Sequence, residues 1–351
     1  RERRRDGGHR GRGASRMKVD QEVPGDLARV AGTARAAETQ GYDGLFTSET
    51  SFDPFLPLVL AAEHTERVEL MTCIAVAFAR SPMTLANTAH DLHRFSGGRF
   101  VLGLGSQIKA HVERRFSMPW SHPAARMREM ILAIRAIWRA WDEGEKLDFR
   151  GEFYSHTLMA PYFDPGPNPT APLVYLAGVG ELMTQVAGEV ADGYLCHGFT
   201  TPKYLREVTL PALERGLATS GRTLDGFDVS GPMFVATGVD EADLAARADA
   251  VRSQVAFYAS TPAYKGVLDV HGWGDLGDEL RALTRQGRWD DMDGLVDDEV
   301  LHTFAAIAMP DELPSLLAER YGGLLTRVSF TPPAALDPDQ RTELLAAIRA
   351  I

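Results

Sequence analysis

The chain has 351 residues, of which 44% are hydrophobic and 24% are charged, and its formal net charge is −11. This acidic balance disfavours nucleic acid as a partner, because phosphate contacts need clustered Lys and Arg side chains. No apolar run approaches the roughly 20 residues of a membrane-spanning helix, and the two cysteines are too few for a disulfide framework, so we expect a globular cytoplasmic protein without a membrane anchor.

Residues 1–16 (RERRRDGGHRGRGASR) differ from the rest of the chain. They hold seven Arg, with Glu2 and Asp6 as the acids. A basic, glycine-rich segment without apolar periodicity is typical of a disordered extension. Such a tail could bind an acidic surface or have no role at all. No apolar segment follows the arginines, so we do not expect a secretory signal.

From Met17 onward, short β-rich segments alternate with amphipathic helical segments, the pattern of βα units around a parallel sheet. Apolar spacings of three and four predict helices that include 26–40, 82–95, 125–141 and 311–320. The eight predicted strands are 17–20, 44–48, 68–78, 99–105, 172–178, 193–197, 228–237 and 324–330. Eight such units predict that residues 17–351 form one α/β domain, a closed (β/α)₈ TIM barrel.

Two long insertions, at about 142–171 and 259–310, interrupt the regular spacing of the units. Insertions that follow barrel strands lie at the C-terminal mouth, where loops build active sites and lids. We therefore expect both insertions at the mouth. Trp273 lies in the second one, where an apolar lid and a substrate contact are both open interpretations.

Functional residues of a (β/α)₈ barrel lie at the carboxyl ends of its strands. Here those ends bring a carboxylate, a histidine and two glycine-rich corners to the same mouth. The residues at or just beyond them are Glu49, Thr50, Asp53, Arg80, Gly105, Ser106, Gln107, Ala177, Gly178, Val179, Gly180, Cys196, His197 and Gly198.

The segment Gly178-Val179-Gly180 ends a strand and leads into a helix. Such a corner directs several backbone N–H groups at one point, where the helix dipole also favours an anion. The dinucleotide fingerprint G-x-G-x-x-G needs a third glycine, but Met183 stands there, and the next strand ends in Cys196-His197-Gly198 rather than in an acid. The segment therefore disfavours a dinucleotide dehydrogenase, while a general phosphate site and a structural αL cap both stay open.

The succession GYDGLFTSE, VELMTCIAV, GGRFVLGLGSQ and PLVYLAGVG with VAGEVADGYLCHG extends over nearly the whole chain after Met17. It resembles the luciferase-like monooxygenase superfamily and is most similar to the branch of coenzyme F420-dependent oxidoreductases. The resemblance implies a (β/α)₈ barrel whose mouth holds a deazaflavin, F420, or alternatively FMN. It also implies hydride transfer between the deazaflavin and a small organic substrate. An FMN-dependent monooxygenase that uses oxygen and a non-catalytic flavin-binding protein are the alternatives.

The resemblance also implies roles for individual residues. Gly178, Val179 and Gly180 would hold the ribityl phosphate, and Glu49 would contact the ring system. Cys73, Ile74 and Ala75 would form a bulge behind the ring, with a non-proline cis bond between Cys73 and Ile74. We predict further cofactor contacts at Gly105, Ser106, Gln107, Ala177, Cys196, His197 and Gly198, and substrate contacts at Asp53, Arg80, His111 and Trp273. A second copy of the chain is the one macromolecular partner that we expect.

Several F420 enzymes place a histidine directly after the acid, whereas this chain has Thr50, whose hydroxyl cannot hold a proton near pH 7. We therefore assign Glu49 and Thr50 to ring positioning and His197 to proton handling, with His111 as the substitute. Each residue has a structural alternative. His197 could be a satisfied strand-end histidine, Glu49 a helix cap or a partner of Arg80, and His111 part of a solvated face.

His90 and His93 are three residues apart, a spacing that could place two metal ligands on one helix face. No third ligand accompanies them in the sequence. We therefore expect no metal site.

Overall fold

The computed structural model describes residues 16–231 and 234–351. The prediction of a disordered extension at 1–16 therefore falls outside the described residues, except for Arg16. The Arg16 guanidinium lies 2.6 Å from the Asp43 carboxylate in an exposed ion pair.

The strands of the described residues, in chain order, are β1 Lys18–Glu22, β2 Gly44–Thr47, β3 Glu69–Thr72, β4 Ala75–Val76, β5 Phe100–Gly105, β6 Phe149–Arg150, β7 Ser155–His156, β8 Leu173–Gly178, β9 Gly193–Cys196, β10 Asp228–Ser230, β11 Val235–Ala236, β12 Ala306–Ile307 and β13 Arg327–Ser329. The helices are α1 Leu27–Gln40, α2 Leu56–Glu63, α3 Pro82–Phe95, α4 Lys109–Arg114, α5 Pro123–Glu143, α6 Glu181–Val190, α7 Pro202–Tyr204, α8 Leu210–Thr219, α9 Glu241–Ala259, α10 Lys265–Asp269, α11 Gly274–Arg285, α12 Asp298–Phe304, α13 Leu313–Tyr321 and α14 Pro338–Arg349. A π-helical turn, Leu205–Thr209, joins α7 to α8.

The parallel barrel is closed. Its strands pair in the order β3-β2-β1-β13-β10-β9-β8-β5, and β3 also pairs with β5. β4 extends the line of β3 and pairs in parallel with β5, so β3 and β4 are two halves of one barrel strand. The predicted (β/α)₈ barrel is confirmed, with eight strands.

The helix boundaries follow capping signals in the sequence. The Asp26 side chain accepts a hydrogen bond from Ala28 N at the start of α1, and Ser81 accepts one from Thr84 N at the start of α3. α1 ends where Gly41 adopts a left-handed conformation with φ of 91°, which glycine tolerates because it lacks a Cβ. Polar caps and a terminal glycine thus fix the ends that apolar periodicity leaves uncertain.

Two predicted strands are interrupted. The third strand, 68–78, breaks at the Cys73–Ile74 peptide bond, which is cis as the resemblance implied. The seventh predicted strand covers 228–237, and its second half is wrong as a barrel strand. That half contains β11, which pairs with β12 in a separate two-stranded parallel sheet. The sequence Gly231-Pro232 in the middle of that segment is a strand-breaking dipeptide.

The first insertion lies only partly at the mouth. Its hairpin, β6 with β7, packs along α5, where Tyr154 contacts Arg126. Its last part contacts the other end of the barrel, because Thr170 bonds to His93, and His93 in turn bonds to the Phe100 carbonyl at the start of β5. The expectation that the whole of 142–171 lies at the mouth is therefore wrong, because α5 carries the chain back to the amino ends of the strands.

The second insertion lies at the mouth and has a core of its own. That core includes Val255, Leu280 and Phe304 and reaches Phe199 in the loop after β9. The inside of the barrel is filled by a separate cluster, made of Phe46, Met71, Val101, Tyr175 and Leu195. In the described part of the chain, no helix is both long enough and apolar enough to cross a membrane.

Candidate active site

The carboxyl ends of the barrel strands open into a cavity of about 610 Å³, which falls within the roughly 300–1,000 Å³ typical of small-molecule sites. Most of the predicted cofactor residues line it together: Glu49, Thr50, Cys73, Ile74, Gly105, Ser106, Gln107, Ala177, Gly178, Val179, Gly180, Cys196 and His197. Residues chosen because they lie at the carboxyl ends of barrel strands thus line the same cavity.

Other predicted residues lie elsewhere. Ala75 and Gly198 are buried beside the lining, and His111 is exposed on α4. Trp273 belongs to the core of the second insertion, where its ring stacks on His271 at 4.7 Å between centroids. The position of His111 matches the alternative that it belongs to a solvated face, and the position of Trp273 matches the alternative of an apolar lid.

The structure adds lining residues that the sequence did not single out. Trp120 lies between α4 and α5 and Pro123 begins α5, whereas Ala263 and Tyr264 come from the second insertion. Local sequence signals cannot identify such residues, because their approach to the cavity depends on how long segments fold back over the barrel.

Glu49 lines the cavity and is also a partner of Arg80, one of the structural alternatives that its sequence position allowed. Its Oε2 accepts hydrogen bonds from Val76 N at 2.6 Å and from the Arg80 guanidinium at 2.7 Å. Arg80 also lies 3.4 Å from the Asp53 carboxylate and over the Phe55 ring. Arg80 and Asp53 therefore stand behind Glu49, and the charge that Glu49 presents to the cavity is balanced.

Thr50 and its neighbour Ser48 are tied to adjacent elements. The Thr50 carbonyl accepts a hydrogen bond from Arg115, just beyond α4, and the Ser48 hydroxyl donates to Glu22 at 2.7 Å. Glu22 ends β1, which runs two residues further than predicted. The rim of the cavity is thus held by contacts between different barrel units.

The corner at Gly178-Val179-Gly180 leaves backbone donors open. α6 begins at Glu181, its N-cap Gly180 has no side chain to accept from the first turn, and the first N–H groups of a helix have no partner within the helix. A Cβ on Gly180 would meet no atom within 4 Å, so space lies in front of these donors. The αL-cap interpretation is wrong, because Gly180 has a φ of −79°.

The acid in the first turn of α6 is directed away from this corner. Glu181 lies 2.8 Å from Arg215 on α8, an exposed ion pair that partly balances its charge. The corner can therefore accept an anion such as a phosphate group.

The floor of the cavity is apolar. The Ile74 side chain lies against Gly105, where a Cβ would come within 2.8 Å of Ile74 Cγ1, so only glycine fits at that position. Ile74, Cys73 and Ala177 pack on the cluster that fills the barrel. Burial raises the pKa of the Cys73 and Cys196 thiols to about 12, so both stay protonated and neither is a nucleophile near pH 7.

His197 is held between backbone and aromatic rings. Its Nδ1 accepts from Phe199 N at 3.0 Å, and its Nε2 lies 3.1 Å from the Tyr264 hydroxyl. Burial lowers the pKa of His197 to about 4, so the imidazole is neutral at pH 7. It is thus both a satisfied strand-end histidine and a lining residue of the cavity.

The described residues contain no group of three or more His, Cys, Asp or Glu side chains that could hold a metal ion. His90 Nε2 lies 3.1 Å from the Gly166 carbonyl, and His93 Nε2 lies 3.0 Å from the Thr170 hydroxyl. Both histidines therefore fasten the first insertion to α3. What the cavity offers instead is an apolar floor, an anion corner and neutral hydrogen-bonding groups, a set suited to a flat ring that carries a phosphate.

The sequence profile of the luciferase-like monooxygenase family matches residues 9–327. The chain belongs to this family. An uncharacterised protein of Mycobacterium tuberculosis is 55% identical over 317 residues, which are 90% of this chain and 93% of the relative. The F420-dependent glucose-6-phosphate dehydrogenase of Beutenbergia cavernae is 32% identical over 286 residues, 77% of this chain and 81% of that enzyme.

Two solved structures illustrate the range of this fold. The coenzyme F420-dependent tetrahydromethanopterin reductase of Methanopyrus kandleri superposes with a TM-score of 0.75 at 22% identity, covering 94% of this chain and 97% of that chain. The oxygenating constituent of 3,6-diketocamphane monooxygenase of Pseudomonas putida, in complex with FMN, gives a TM-score of 0.64 at 15% identity, covering 95% and 96%. At these identities the likeness supports the barrel fold alone.

Proposed function

We propose that this luciferase-like protein is an F420-dependent oxidoreductase that moves a hydride between the deazaflavin and a small organic substrate. The observation that carries the proposal is the presence, in one cavity, of an apolar floor at Ile74 and an open helix N-terminus at Gly180. The F420-dependent relative from Beutenbergia cavernae supports the choice of cofactor, since it matches over most of the chain.

The residues present fit such a cofactor. The backbone of Gly178, Val179 and Gly180 would hold the phosphate, and Ile74 over Gly105 would lie against the ring. When bound, the deazaflavin supplies or takes up the hydride. The chain itself binds and orients the ring, excludes water with the second insertion and provides hydrogen-bonding groups at His197 and Tyr264.

The test is a titration of the apo-protein with F420 and, separately, with FMN, followed by ligand fluorescence. We expect F420 to bind at least about tenfold more tightly than FMN, a difference of about 1.4 kcal/mol. The control is the F420 chromophore without the phosphate and the side chain attached to it, 8-hydroxy-5-deazariboflavin, which should bind more weakly than F420 if the Gly180 corner holds the phosphate.

Each other outcome has a definite meaning. Tight binding of FMN alone would favour the FMN-dependent monooxygenase. Binding of F420 without hydride exchange to any organic substrate would favour a non-catalytic flavin-binding protein. Failure to bind either cofactor would overturn both enzyme assignments.

A further inference from the structure

Tyr264 reaches the cavity from the second insertion. It ends the 3₁₀ turn Pro262–Tyr264, which follows α9, and its ring stacks on the His197 imidazole with centroids 4.4 Å apart and planes 25° apart. Tyr258 packs edge-on against the same imidazole at 4.8 Å. His197 and Tyr264 both line the cavity, so the insertion delivers a phenol hydroxyl to the site.

The hydrogen bonds of His197 fix its tautomer. The Phe199 N–H group donates to Nδ1, so Nδ1 carries no hydrogen. A neutral imidazole then carries its hydrogen on Nε2, the atom that lies 3.1 Å from the Tyr264 hydroxyl oxygen. In this contact His197 is therefore the donor and the Tyr264 oxygen is the acceptor.

The Tyr264 hydrogen is consequently not used by His197 and is available to an acceptor in the cavity. Burial, with a smaller contribution from Tyr258, raises the pKa of Tyr264 to about 12, so its hydroxyl stays protonated at pH 7. Burial lowers the pKa of His197 to about 4, so the imidazole stays neutral and keeps this tautomer. The pair presents an oriented neutral hydrogen-bond donor.

The surroundings favour an uncharged oxygen-bearing ligand at this hydroxyl. Ile74, Ile108, Trp120 and Met183 line the same cavity with apolar surface, and the carboxylate that lines it, Glu49, is already paired with Arg80 at 2.7 Å. The Lys109 side chain is 65% exposed and lies 3.8 Å from Glu113. A ligand that reaches Tyr264 thus leaves water for an apolar environment, which is unfavourable for a charged molecule.

We propose that Tyr264 is a catalytic residue that donates its hydroxyl hydrogen to the carbonyl oxygen of a small uncharged ketone or aldehyde, and that His197 is the positioning residue for this hydroxyl. The proposal rests on the proposed function, which supplies the hydride. In the direction of reduction the carbonyl carbon receives the hydride, and the π electron pair moves to the oxygen. The Tyr264 O–H bond breaks as the new O–H bond of the alcohol forms, and water at the mouth returns a proton to the phenolate. Oxidation of the alcohol is the reverse.

The first test needs no cofactor. Nitrogen-15 NMR of histidine-labelled apo-protein, with His197 assigned by its loss in His197→Gln, should show a neutral Nε2–H tautomer between about pH 6 and 8. An Nδ1–H tautomer, or a protonation midpoint near 6.5, would overturn the proposal, because the Tyr264 hydroxyl would then not be oriented towards the cavity.

The second test uses F420 with defined probes: acetone, cyclohexanone and benzaldehyde for reduction, and the corresponding alcohols for oxidation. Tyr264→Phe keeps the ring that stacks on His197 and removes only the hydroxyl. We expect kcat to fall about 100-fold, while the Kd for F420 stays within about twofold. Tyr258→Phe is the matched control from the same aromatic cluster and should keep kcat within about threefold.

His197 is tested by rescue. His197→Gln keeps an N–H donor and should retain about tenfold more activity than His197→Leu, which a purely structural role would not require. Tyr264→Phe turnover within threefold of the original protein would overturn the catalytic role. An enzyme that binds F420 but converts none of the probes would overturn the carbonyl assignment. Failure to bind F420 would instead count against the proposed function, and the NMR result would still decide the direction of the hydroxyl.

Discussion

At the amino ends of the barrel strands, Arg327 is surrounded by carboxylates, whereas at the carboxyl ends His197 is surrounded by aromatic rings and backbone. Arg327 is 1% exposed, and its guanidinium donates to Asp20 at 2.7 and 2.8 Å and also bonds to Glu69 and Asp228. The amino end is thus closed by a network of buried charges, whereas the carboxyl end is an open cavity whose lining is mostly neutral apart from Lys109 and Glu49, which is paired with Arg80.

The amino end is tightly packed around the ion pairs. Gly44 starts β2 beside the ion pair, and a Cβ there would lie 2.4 Å from Asp20 Oδ1. The Tyr175 hydroxyl donates to Asp228 at 2.5 Å, and the Thr326 hydroxyl donates to the same carboxylate at 2.9 Å. Each buried charge there is paired, and Arg327 and Asp228 have several partners, the condition under which charges can be held away from water.

The difference shows how one barrel separates stability from binding. A network with every charge paired is damaged by any single loss, because an unpaired buried charge remains. A cavity with neutral donors and open backbone N–H groups can instead receive a ligand without first breaking an ion pair. We therefore expect changes at the amino end to alter stability and changes at the mouth to alter binding.

The largest expected effect is at the amino end. Arg327→Met leaves the carboxylates of Asp20, Glu69 and Asp228 without their shared cation and should lower the free energy of unfolding by about 3–5 kcal/mol. Urea unfolding of the original protein and of Arg327→Met measures this difference in the free energy of unfolding. The control is Arg150→Met, because the ion pair of Arg150 with Asp148 is exposed and should contribute less than about 1 kcal/mol. Equal losses of stability in Arg327→Met and Arg150→Met would contradict the special role of the buried charges at the amino end.

The two ends should also lose stability in different pH ranges. Burial lowers the pKa of His197 to about 4, below the value of about 6.5 expected for the unfolded chain, so its contribution is complete above pH 6.5 and falls by about 3 kcal/mol as the pH drops towards 4. Burial opposes ionisation of Asp228, but Arg327 and Lys18 outweigh it and lower the pKa of Asp228 to about 2. Its contribution is complete above about pH 4 and is lost towards pH 2.

Unfolding free energies over a pH series separate these contributions. His197→Gln should flatten the pH dependence between about pH 6.5 and 4, and Asp228→Asn should flatten it below about pH 4. Each variant serves as the control for the other. A change in the same pH range for both would contradict the assignment of separate titrating groups to the two ends.

The smallest expected effect concerns binding at the mouth. Gly180→Asp adds a negative charge in front of the open N–H groups of α6 and should weaken F420 binding about tenfold, or about 1.4 kcal/mol, with little change in stability. Gly180→Ala is the matched control, because a Cβ there meets no protein atom within 4 Å. If Gly180→Asp binds F420 with unchanged affinity, the phosphate of F420 does not bind at the Gly180 corner.

Much of the fold could be predicted because each barrel unit carries its own local signals. The predicted helix 82–95 coincides with α3, where Ser81 caps the first turn and apolar residues recur along one face. The errors arose where a distant contact decides the outcome. Val235 and Ala236 pair with β12, about seventy residues later, and no local pattern announces that partner.

The candidate site divides in the same way. Because strand ends of a parallel barrel meet at one edge, the sequence by itself determined that Glu49, Gly178, Gly180 and His197 share a mouth. Only the tertiary structure decided that Arg80 pairs with Glu49 and that the Tyr264 hydroxyl lies 3.1 Å from His197 Nε2. The physical reason is that strand order fixes where backbone ends lie. Side-chain partners from a long insertion depend instead on how that insertion packs its own core against the barrel.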